Sequence, residues 1–180
     1  KKILSATPDN RQTLFFSATM NPAAKQLAHD FLNDPVIVSV KKKDVTDSIA
    51  QDVVRYNPSS KLDTLVNLFN DSEFKKVIIF GAMKHSVEKL SKDLQKSGVN
   101  ATSIHGNKSH GQRQRSLTAF KKGDARVLVA TDVAARGIHV DDVSHVINYD
   151  LPQAFEDYVH RIGRTGRGTK KGKALTFVTK

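Results

Sequence analysis

The sequence predicts an α/β domain built on a mainly parallel sheet with helices on both faces. From residue 49 onward, short apolar runs alternate with longer segments in which apolar residues recur at helical spacing. Two of the runs, 77–80 and 127–130, are apolar at every position, which is typical of strands that helices cover on both sides. Together these patterns favour repeated strand–helix–strand units.

The individual elements follow from the same patterns. Strands are expected near residues 49–56, 77–80, 101–104, 127–130, 143–149 and 174–178. Apolar stripes with helical period begin after Ser60, near Val87 and after Ser109, and the last two end at Gly98 and Gly123, where glycine commonly closes a helix. Ligands of parallel sheets bind beyond the carboxyl ends of the strands. The loops 81–84, 105–109 and 131–137 should therefore share one rim.

The start of the chain is organised differently. Short apolar strands are expected at 13–16 and 36–38, and the helix between them should begin at Asn21 and Pro22, a favourable N-cap followed by a favourable first residue. Residues 41–48 are polar and charged with a single apolar residue, a composition that predicts a linker. We therefore expect three parts, at 1–40, 41–48 and 49–180.

Charge and composition narrow the function classes. The chain has 29 Lys and Arg against 18 Asp and Glu, and its formal net charge of +11 favours a polyanion such as nucleic acid or a nucleotide. No apolar run has the length of a membrane span, so no membrane partner is expected. Cysteine is absent, which excludes disulfides and thiolate metal sites and is compatible with the cytoplasm. The histidines form no His-Glu-x-x-His pair, and no metal site is expected.

An arginine-rich segment near the end of the chain carries the strongest chemical signal. Residues 160–168 read His-Arg-Ile-Gly-Arg-Thr-Gly-Arg-Gly, so Arg164 and Arg167 each follow a glycine. Planar guanidinium groups on a backbone with little side-chain bulk suit a crowded polyphosphate and can neutralise charge on a transferred phosphoryl group. Taken alone, the segment could also be a solvated basic loop that touches phosphates without specificity.

Three motifs together resemble the DEAD-box family of ATP-dependent RNA helicases. They are Ser17-Ala18-Thr19, the run Thr-Asp-Val-Ala-Ala-Arg-Gly at 131–137, and the segment that starts at His160. Their order and spacing are those of the family, and the similarity covers essentially the whole chain. The resemblance implies a RecA-like fold, with 1–40 as the last elements of a truncated first lobe, 41–48 as the interlobe linker and 49–180 as the second lobe.

The resemblance also implies roles in nucleotide use. Arg164 and Arg167 would reach the ATP triphosphate from across the interlobe cleft, and His160 would link nucleotide state to RNA. Gly137 and His139 would border the nucleotide. The sequence contains neither a Gly-x-x-x-x-Gly-Lys-Ser/Thr phosphate loop nor an Asp-Glu-Ala-Asp motif. We therefore expect the Mg²⁺ ligands on the first lobe and negligible ATPase activity for this chain alone.

The second implied ligand is RNA, bound through its backbone and without sequence preference. Ser17 and Thr19 would couple the lobes. The expected RNA contacts lie on the loops of the rim and on the helix that follows Ser109, namely Gly81, Gly106, Arg113, Thr131 and Arg136. A noncatalytic RNA-binding module and a DNA-directed translocase lobe of the same superfamily are the alternatives.

Two features depart from a complete family member. His139 stands where the family usually has an aspartate that helps to hold the ribose. Imidazole does not have the two acceptor oxygens of a carboxylate, so weaker nucleotide affinity is expected. The apolar strands expected in residues 1–40 would lack most of their sheet. Unpaired strand edges recruit other strands, so these strands are expected to pair with each other, with the second lobe, or with another chain in a strand-swapped dimer.

Overall fold

The computed structural model describes residues 4–8, 10–17, 20–39, 48–166 and 170–180. The chain divides into two compact units, Lys1–Lys41 and Lys42–Lys180, and each is described by itself.

The first unit contains one α-helix within its described residues, α1 at Pro22–Phe31. Its start is as predicted, because the side chain of Asn21 accepts a hydrogen bond from the Ala24 amide at 2.9 Å. The two strands predicted at 13–16 and 36–38 are wrong, since both segments are irregular. A strand needs a hydrogen-bonded neighbour, and these apolar segments instead expose side chains, Phe16 by 88% and Val36 by 90%.

The second unit is built on a six-stranded sheet in which all neighbouring strands are parallel, with the order β1-β6-β5-β2-β4-β3. The strands are β1 (Ile49–Tyr56), β2 (Val77–Phe80), β3 (Ala101–Ile104), β4 (Val127–Ala130), β5 (His145–Asn148) and β6 (Gly172–Thr179). The predicted parallel sheet is therefore confirmed. The observed β5 is shorter than expected and β6 is longer at both ends.

Five α-helices connect these strands in the described residues of the second unit, and a short 3-10 helix, Pro58–Ser60, precedes the first of them. The α-helices are α2 (Lys61–Leu68), α3 (Lys84–Lys96), α4 (His110–Lys122), the single turn α5 (Asp132–Ala135) and α6 (Phe155–Ile162). The limits of α4 follow from its caps. The hydroxyl of Ser109 accepts from the Gln112 amide, the Gln112 side chain accepts from the Ser109 amide, and Gly123 ends the helix at φ 88°.

The core lies on both faces of the sheet. Along β2, Val77 and Ile79 belong to one buried apolar cluster, whereas Ile78 and Phe80 belong to another on the opposite face. Helix α3 contributes Leu94 to the first cluster and α4 contributes Phe120 to the second. This two-sided burial explains why β2 is apolar at every position. In the part of the chain that the structure describes, no helix is long and apolar enough to cross a membrane.

Candidate functional site

The carboxyl ends of β2, β4 and β3 lie side by side, so the loops that follow them share one rim as predicted. Main-chain hydrogen bonds tie these loops to the sheet. The Gly81 amide donates to the Ala130 oxygen at 3.0 Å, and the Thr131 amide donates to the Ile104 oxygen at 3.3 Å. The predicted residues Gly81, Gly106 and Thr131 therefore lie along one edge of the sheet.

Arg161, on α6, is the structural centre of the site. Its side chain is buried, and it makes a two-pronged ion pair with Asp132, with Nε 2.6 Å from Oδ1 and Nη2 2.8 Å from Oδ2. Its remaining nitrogen, Nη1, donates to the Asn148 side chain at 3.2 Å and to the main-chain oxygen of Asp150 at 2.6 Å. A buried guanidinium with this many acceptors holds α6 in one position against α5 and the end of β5.

Next to this anchor lie two of the predicted residues, His160 on α6 and Arg164 just after its end. Arg164 donates from Nη1 to the Ile138 oxygen at 2.9 Å and from Nε to the His160 oxygen at 3.2 Å. His160 is exposed. The structure brings both into one surface pocket with the predicted Arg136; its lining consists of Phe80, Asp132, Ala135, Arg136, Asp157, His160, Arg161 and Arg164.

The loop that carries Arg164 is fixed from beneath. Gly166 has φ +63°, and a Cβ atom there would lie 2.6 Å from Cγ1 of Ile49. The Ser48 hydroxyl donates to the Gly166 oxygen at 2.8 Å. The buried Thr165 hydroxyl donates to the main-chain oxygen of Val143. The predicted Arg167 follows directly in sequence but lies outside the described residues.

Gly137 and His139 lie on the segment that follows α5. Gly137 has φ +76° with open space around it, so the glycine serves a turn. Nε2 of His139 is 3.6 Å from Oδ1 of Asp141, and the two side chains are 73% and 80% exposed. A cavity of about 350 Å³ next to this segment is lined by residues that include Asp141 and Arg164.

The β2 and β3 loops are closely packed. A Cβ atom on Gly81 would lie 2.9 Å from Cγ2 of Val87, so this position requires glycine. A Cβ atom on Gly106 would lie 3.1 Å from Cε of Lys84, a basic residue that the sequence did not single out. Arg113 is exposed in the first turn of α4.

Beneath the β3 loop, a polar cluster centres on Glu88. The Ser103 hydroxyl donates to Oε2 of Glu88 at 2.6 Å, Nε2 of His105 lies 3.1 Å from the same oxygen and Nζ of Lys108 lies 3.3 Å from it. The Ser103 hydrogen bond, aided by His105 and Lys108, lowers the pKa of Glu88 to about 2. Nδ1 of His105 is buried without a hydrogen-bond partner in the structure. The cluster secures the loop that carries Gly106.

Several residues of this site were missed at the level of sequence. The motifs alone predict no role for Asp132, Asn148, Asp150 or Arg161, although Asp132 and Arg161 lie inside two of them. Their proximity depends on the strand order, which sets β2 between β4 and β5. Of the Ser-Ala-Thr motif, Ser17 lies in the first unit and Thr19 lies outside the described residues. Within the described ranges, no group of three or more His, Cys, Asp or Glu side chains could hold a metal ion.

The arrangement is suited to binding anions. Three arginines and His160 line one pocket together with Asp132 and Asp157, and guanidinium groups are donors that phosphates prefer. Residues 60–169 match the family model of the helicase conserved C-terminal domain.

Named relatives extend this match to the whole chain. The chain is 44% identical to the ATP-dependent RNA helicase CshA of Limosilactobacillus reuteri, an alignment that covers 99% of the chain and 36% of that protein. It is 46% identical to the DEAD-box ATP-dependent RNA helicase CshA of Geobacillus kaustophilus, with 98% and 38% covered. The chain thus spans little more than a third of the length of these relatives.

Solved structures agree. S. cerevisiae Dbp5 bound to RNA and ADP BeF3 matches with a TM-score of 0.85 and 31% identity over 99% of this chain and 48% of that one. The E. coli DEAD-box protein SrmB, bound to regulator of ribonuclease activity A, matches with a TM-score of 0.70 and 38% identity over 77% and 79% of the two chains. The chain therefore belongs to the DEAD-box family of ATP-dependent RNA helicases, as the lobe that carries the helicase conserved C-terminal domain.

Proposed function

We propose that this chain is the second motor lobe of an ATP-dependent RNA helicase and that it drives local RNA strand separation together with a first lobe. The observation that carries the proposal is the arginine site. Arg161 is locked onto Asp132, and this anchor directs His160 and Arg164 into the same pocket as Arg136. A rigid support for exposed or half-exposed cationic groups is what an arginine finger requires.

ATP is the proposed nucleotide, and the relatives are named as ATP-dependent enzymes. Arg164 and Arg167 would contact the triphosphate, while Gly137 and His139 would border the nucleotide. The sequence has no phosphate loop and no Asp-Glu-Ala-Asp motif, so the Mg²⁺ ligands belong to the first lobe in this proposal. Lobe closure is then favourable only when a phosphate is present to receive the arginines.

RNA is the proposed substrate and would lie along the rim. The contacts expected from the sequence come from the three rim loops and from the first turn of α4, namely Gly81, Gly106, Arg113, Thr131 and Arg136. Gly106, Arg113 and Arg136 are exposed and support a backbone-binding surface, whereas Gly81 and Thr131 are buried beneath it. Arg136 lines the arginine pocket as well, which supports a direct connection between the RNA and nucleotide contacts. The names of the relatives favour RNA over DNA.

The proposed domain organisation assigns 1–40 to the last elements of a first lobe, 41–48 to the linker and 49–180 to the second lobe. Ser17 and Thr19 would couple the lobes. The exposed apolar side chains of Phe16, Val36 and Ile37 support an incomplete lobe, since they are 88%, 90% and 77% exposed. Light scattering on the purified chain tests the strand-swapped dimer: a mass of one chain would exclude it.

The deciding experiment is a reconstitution with a matching first lobe. The chain alone should show negligible ATP hydrolysis, and the pair should show RNA-stimulated turnover. Arg167→Lys should abolish most of that turnover, because arginine fingers contribute about 10³- to 10⁵-fold in related phosphoryl-transfer enzymes. Arg55→Lys, an exposed arginine on β1, is the matched control and should leave turnover unchanged.

Three results would oppose the proposal. They are robust ATP hydrolysis by the chain alone, near-normal turnover of Arg167→Lys, and equal stimulation by RNA and by a 2′-deoxy strand of the same sequence. The last result would favour a DNA translocase, because contacts to 2′-hydroxyl groups distinguish RNA from DNA.

A further inference from the structure

Asp150, two residues after the end of β5, contacts both the loop that follows β2 and Arg161. Its Oδ2 accepts a hydrogen bond from the main-chain amide of Ala82 at 2.9 Å. Its own main-chain oxygen accepts from Nη1 of Arg161 at 2.6 Å. One residue therefore touches the loop that carries Gly81 and the arginine that anchors α6.

The Asp150 carboxylate is itself held in place by Lys61, in the first turn of α2. Nζ of Lys61 lies 3.0 Å from Oδ1, and the two side chains are 20% and 31% exposed. The same ammonium group lies 3.9 Å from the centroid of the Tyr149 ring and 5.0 Å from that of Tyr56. An ammonium group packed between two aromatic rings loses much of its freedom, so it fixes the carboxylate to which it donates.

The main chain reinforces this position. The amides of Tyr149 and Asp150 both donate to the Phe80 oxygen, at 3.1 and 3.2 Å. Gly81 packs closely against α3, because a Cβ atom there would lie 2.9 Å from Cγ2 of Val87. The Ala82 amide is thus directed at Asp150 by the end of β2 on one side and by packing on the other.

We propose that Asp150, oriented by Lys61, is a positioning residue that holds the Gly81–Ala82 turn in its RNA-binding conformation and connects it to Arg161. Asp150 is not an RNA ligand in this proposal. Since the loop is a proposed RNA contact, the inference depends on the proposed function.

Because Asp150 is negatively charged, a charge effect and a positioning role predict opposite changes in RNA affinity when its carboxylate is removed. A carboxylate near the rim repels RNA, so its removal alone would strengthen binding. A positioning role predicts the reverse, because Asp150→Ala frees the turn. Binding of a short fluorescein-labelled poly(U) strand to the 180-residue chain, followed by anisotropy at low salt, measures the difference. Asp150→Ala should weaken binding about fivefold, which corresponds to about 1 kcal/mol.

Two variants at related positions sharpen the result. Asp150→Asn keeps one oxygen that can accept from the Ala82 amide but sets its NH2 group against Lys61, so its affinity should lie between those of the wild type and Asp150→Ala. Asp52→Ala is the matched control: its carboxylate also accepts from a main-chain amide, that of Val53 at 2.8 Å, on the exposed part of β1. It removes the same charge and should leave binding unchanged or slightly stronger.

A structural readout accompanies the affinity. In amide NMR spectra, the Ala82 resonance should move upfield in Asp150→Ala and much less in Asp150→Asn, because a carboxylate hydrogen bond deshields the amide proton. If Asp150→Ala fails to fold, Lys61→Gln replaces it, with Lys89→Gln as its control. Lys89 forms an exposed ion pair with Asp93, so both changes remove one paired cation, but only Lys61→Gln should shift Ala82.

The outcomes separate the two hypotheses. If the wild-type chain binds no RNA, the proposed function fails, and the inference fails with it. If the wild type binds and Asp150→Ala binds as well or better, the positioning role alone is overturned. An unchanged Ala82 resonance in Asp150→Ala, or in Lys61→Gln where that variant replaces it, would also overturn the positioning role alone.

Discussion

Ser48 and Gly166 are joined by a hydrogen bond of 2.8 Å between the serine hydroxyl and the glycine main-chain oxygen, although 118 positions separate them. Gly166 follows two residues after Arg164, and Ser48 directly precedes β1. Ile49, the next residue after Ser48, packs in a buried cluster with Ile162 of α6. The first residues of β1 thus form the support on which the arginine loop lies.

Gly166→Ala should therefore disturb the arginine loop. Gly166 has φ +63°, and the new Cβ would lie 2.6 Å from Ile49 and 3.2 Å from the Ser48 main-chain oxygen. Strain and overlap together should lower the free energy of unfolding by about 2 kcal/mol or more. Urea unfolding of the chain measures this, and RNA-stimulated turnover of the reconstituted pair should fall as well.

The control for this substitution is Gly98→Ala. Gly98 has a similar φ of +81° but has nothing within 4 Å of its Cβ position. It should cost about 1 kcal/mol, the conformational part alone, and should not affect turnover. Equal losses at the two positions would mean that the contacts with Ser48 and Ile49 do not matter.

Loss of the buried Arg161–Asp132 ion pair should lower the free energy of unfolding far more than loss of an exposed ion pair. Asp132→Ala leaves a buried guanidinium without its two-pronged partner, and breaking such a pair costs about 3 kcal/mol. Asp141→Ala removes a carboxylate from the exposed pair with His139 and should cost less than about 0.5 kcal/mol. Urea unfolding compares the two variants. A loss below about 1 kcal/mol for Asp132→Ala would contradict the role of this pair as an anchor.

The sequence predicted the sheet well because its signals are local. β2 and β4 are apolar at every position, and the predicted limits match the observed strands. The limits of α4 follow from Ser109 and Gly123, whose capping roles depend only on their neighbours. Helix α6 was not predicted, although Phe155, Tyr158 and Ile162 have helical spacing.

Contacts between residues that lie far apart in the sequence could not be predicted. Asp132 and Arg161 are 29 positions apart and meet only because of the strand order. The strands expected at 13–16 and 36–38 failed for a related reason: their composition favours strands, but no neighbouring strand completes a ladder in the described residues. The motifs identified the arginine site as a region, and the fold determined which arginine anchors it.

His145 should make the chain less stable in mild acid. It is buried at the start of β5, and its ring stacks on Phe74 with centroids 3.9 Å apart. Burial lowers the pKa of His145, as does Lys173, while Glu73 and Asp71 oppose the shift weakly. Below about pH 6.5 the unfolded chain takes up a proton that the folded chain resists, so the free energy of unfolding should decrease as the pH falls.

Urea unfolding between about pH 7.5 and 5 tests this dependence. His145→Asn removes the titrating group and should make the decrease shallower, whereas His110→Asn, at an exposed position, should not. The same slope in the wild type and in His145→Asn would show that other groups cause the acid sensitivity.

Glu88 should also make the free energy of unfolding depend on pH, in a lower pH range than His145, and its main partner is the Ser103 hydroxyl. Its pKa of about 2 lies below the ordinary value of 4.5, and the Ser103 hydroxyl is the largest cause. The carboxylate therefore stabilises the fold above about pH 4.5, and this contribution is lost as the pH falls toward 2. Ser103→Ala should raise the pKa of Glu88, as measured by NMR titration of its side-chain carboxyl carbon. Ser97→Ala, whose hydroxyl donates to the Asp93 main-chain oxygen, should leave that titration unchanged.

His139→Asp should increase the affinity of the reconstituted enzyme for ATP. The position lies on the exposed segment after Gly137, and the imidazole can offer one acceptor where a carboxylate offers two oxygens to ribose hydroxyl groups. The apparent KM for ATP at saturating RNA should therefore fall, while kcat changes little because the arginines are untouched. His29→Asp makes the same charge change at an exposed position of α1 and should leave KM unchanged.

An unaltered KM in His139→Asp would mean that this side chain does not face the ribose, or that Asp141, 3.6 Å from His139, already supplies the carboxylate. Asp141→Asn in the His139→Asp background separates these two explanations, since only the second predicts a higher KM.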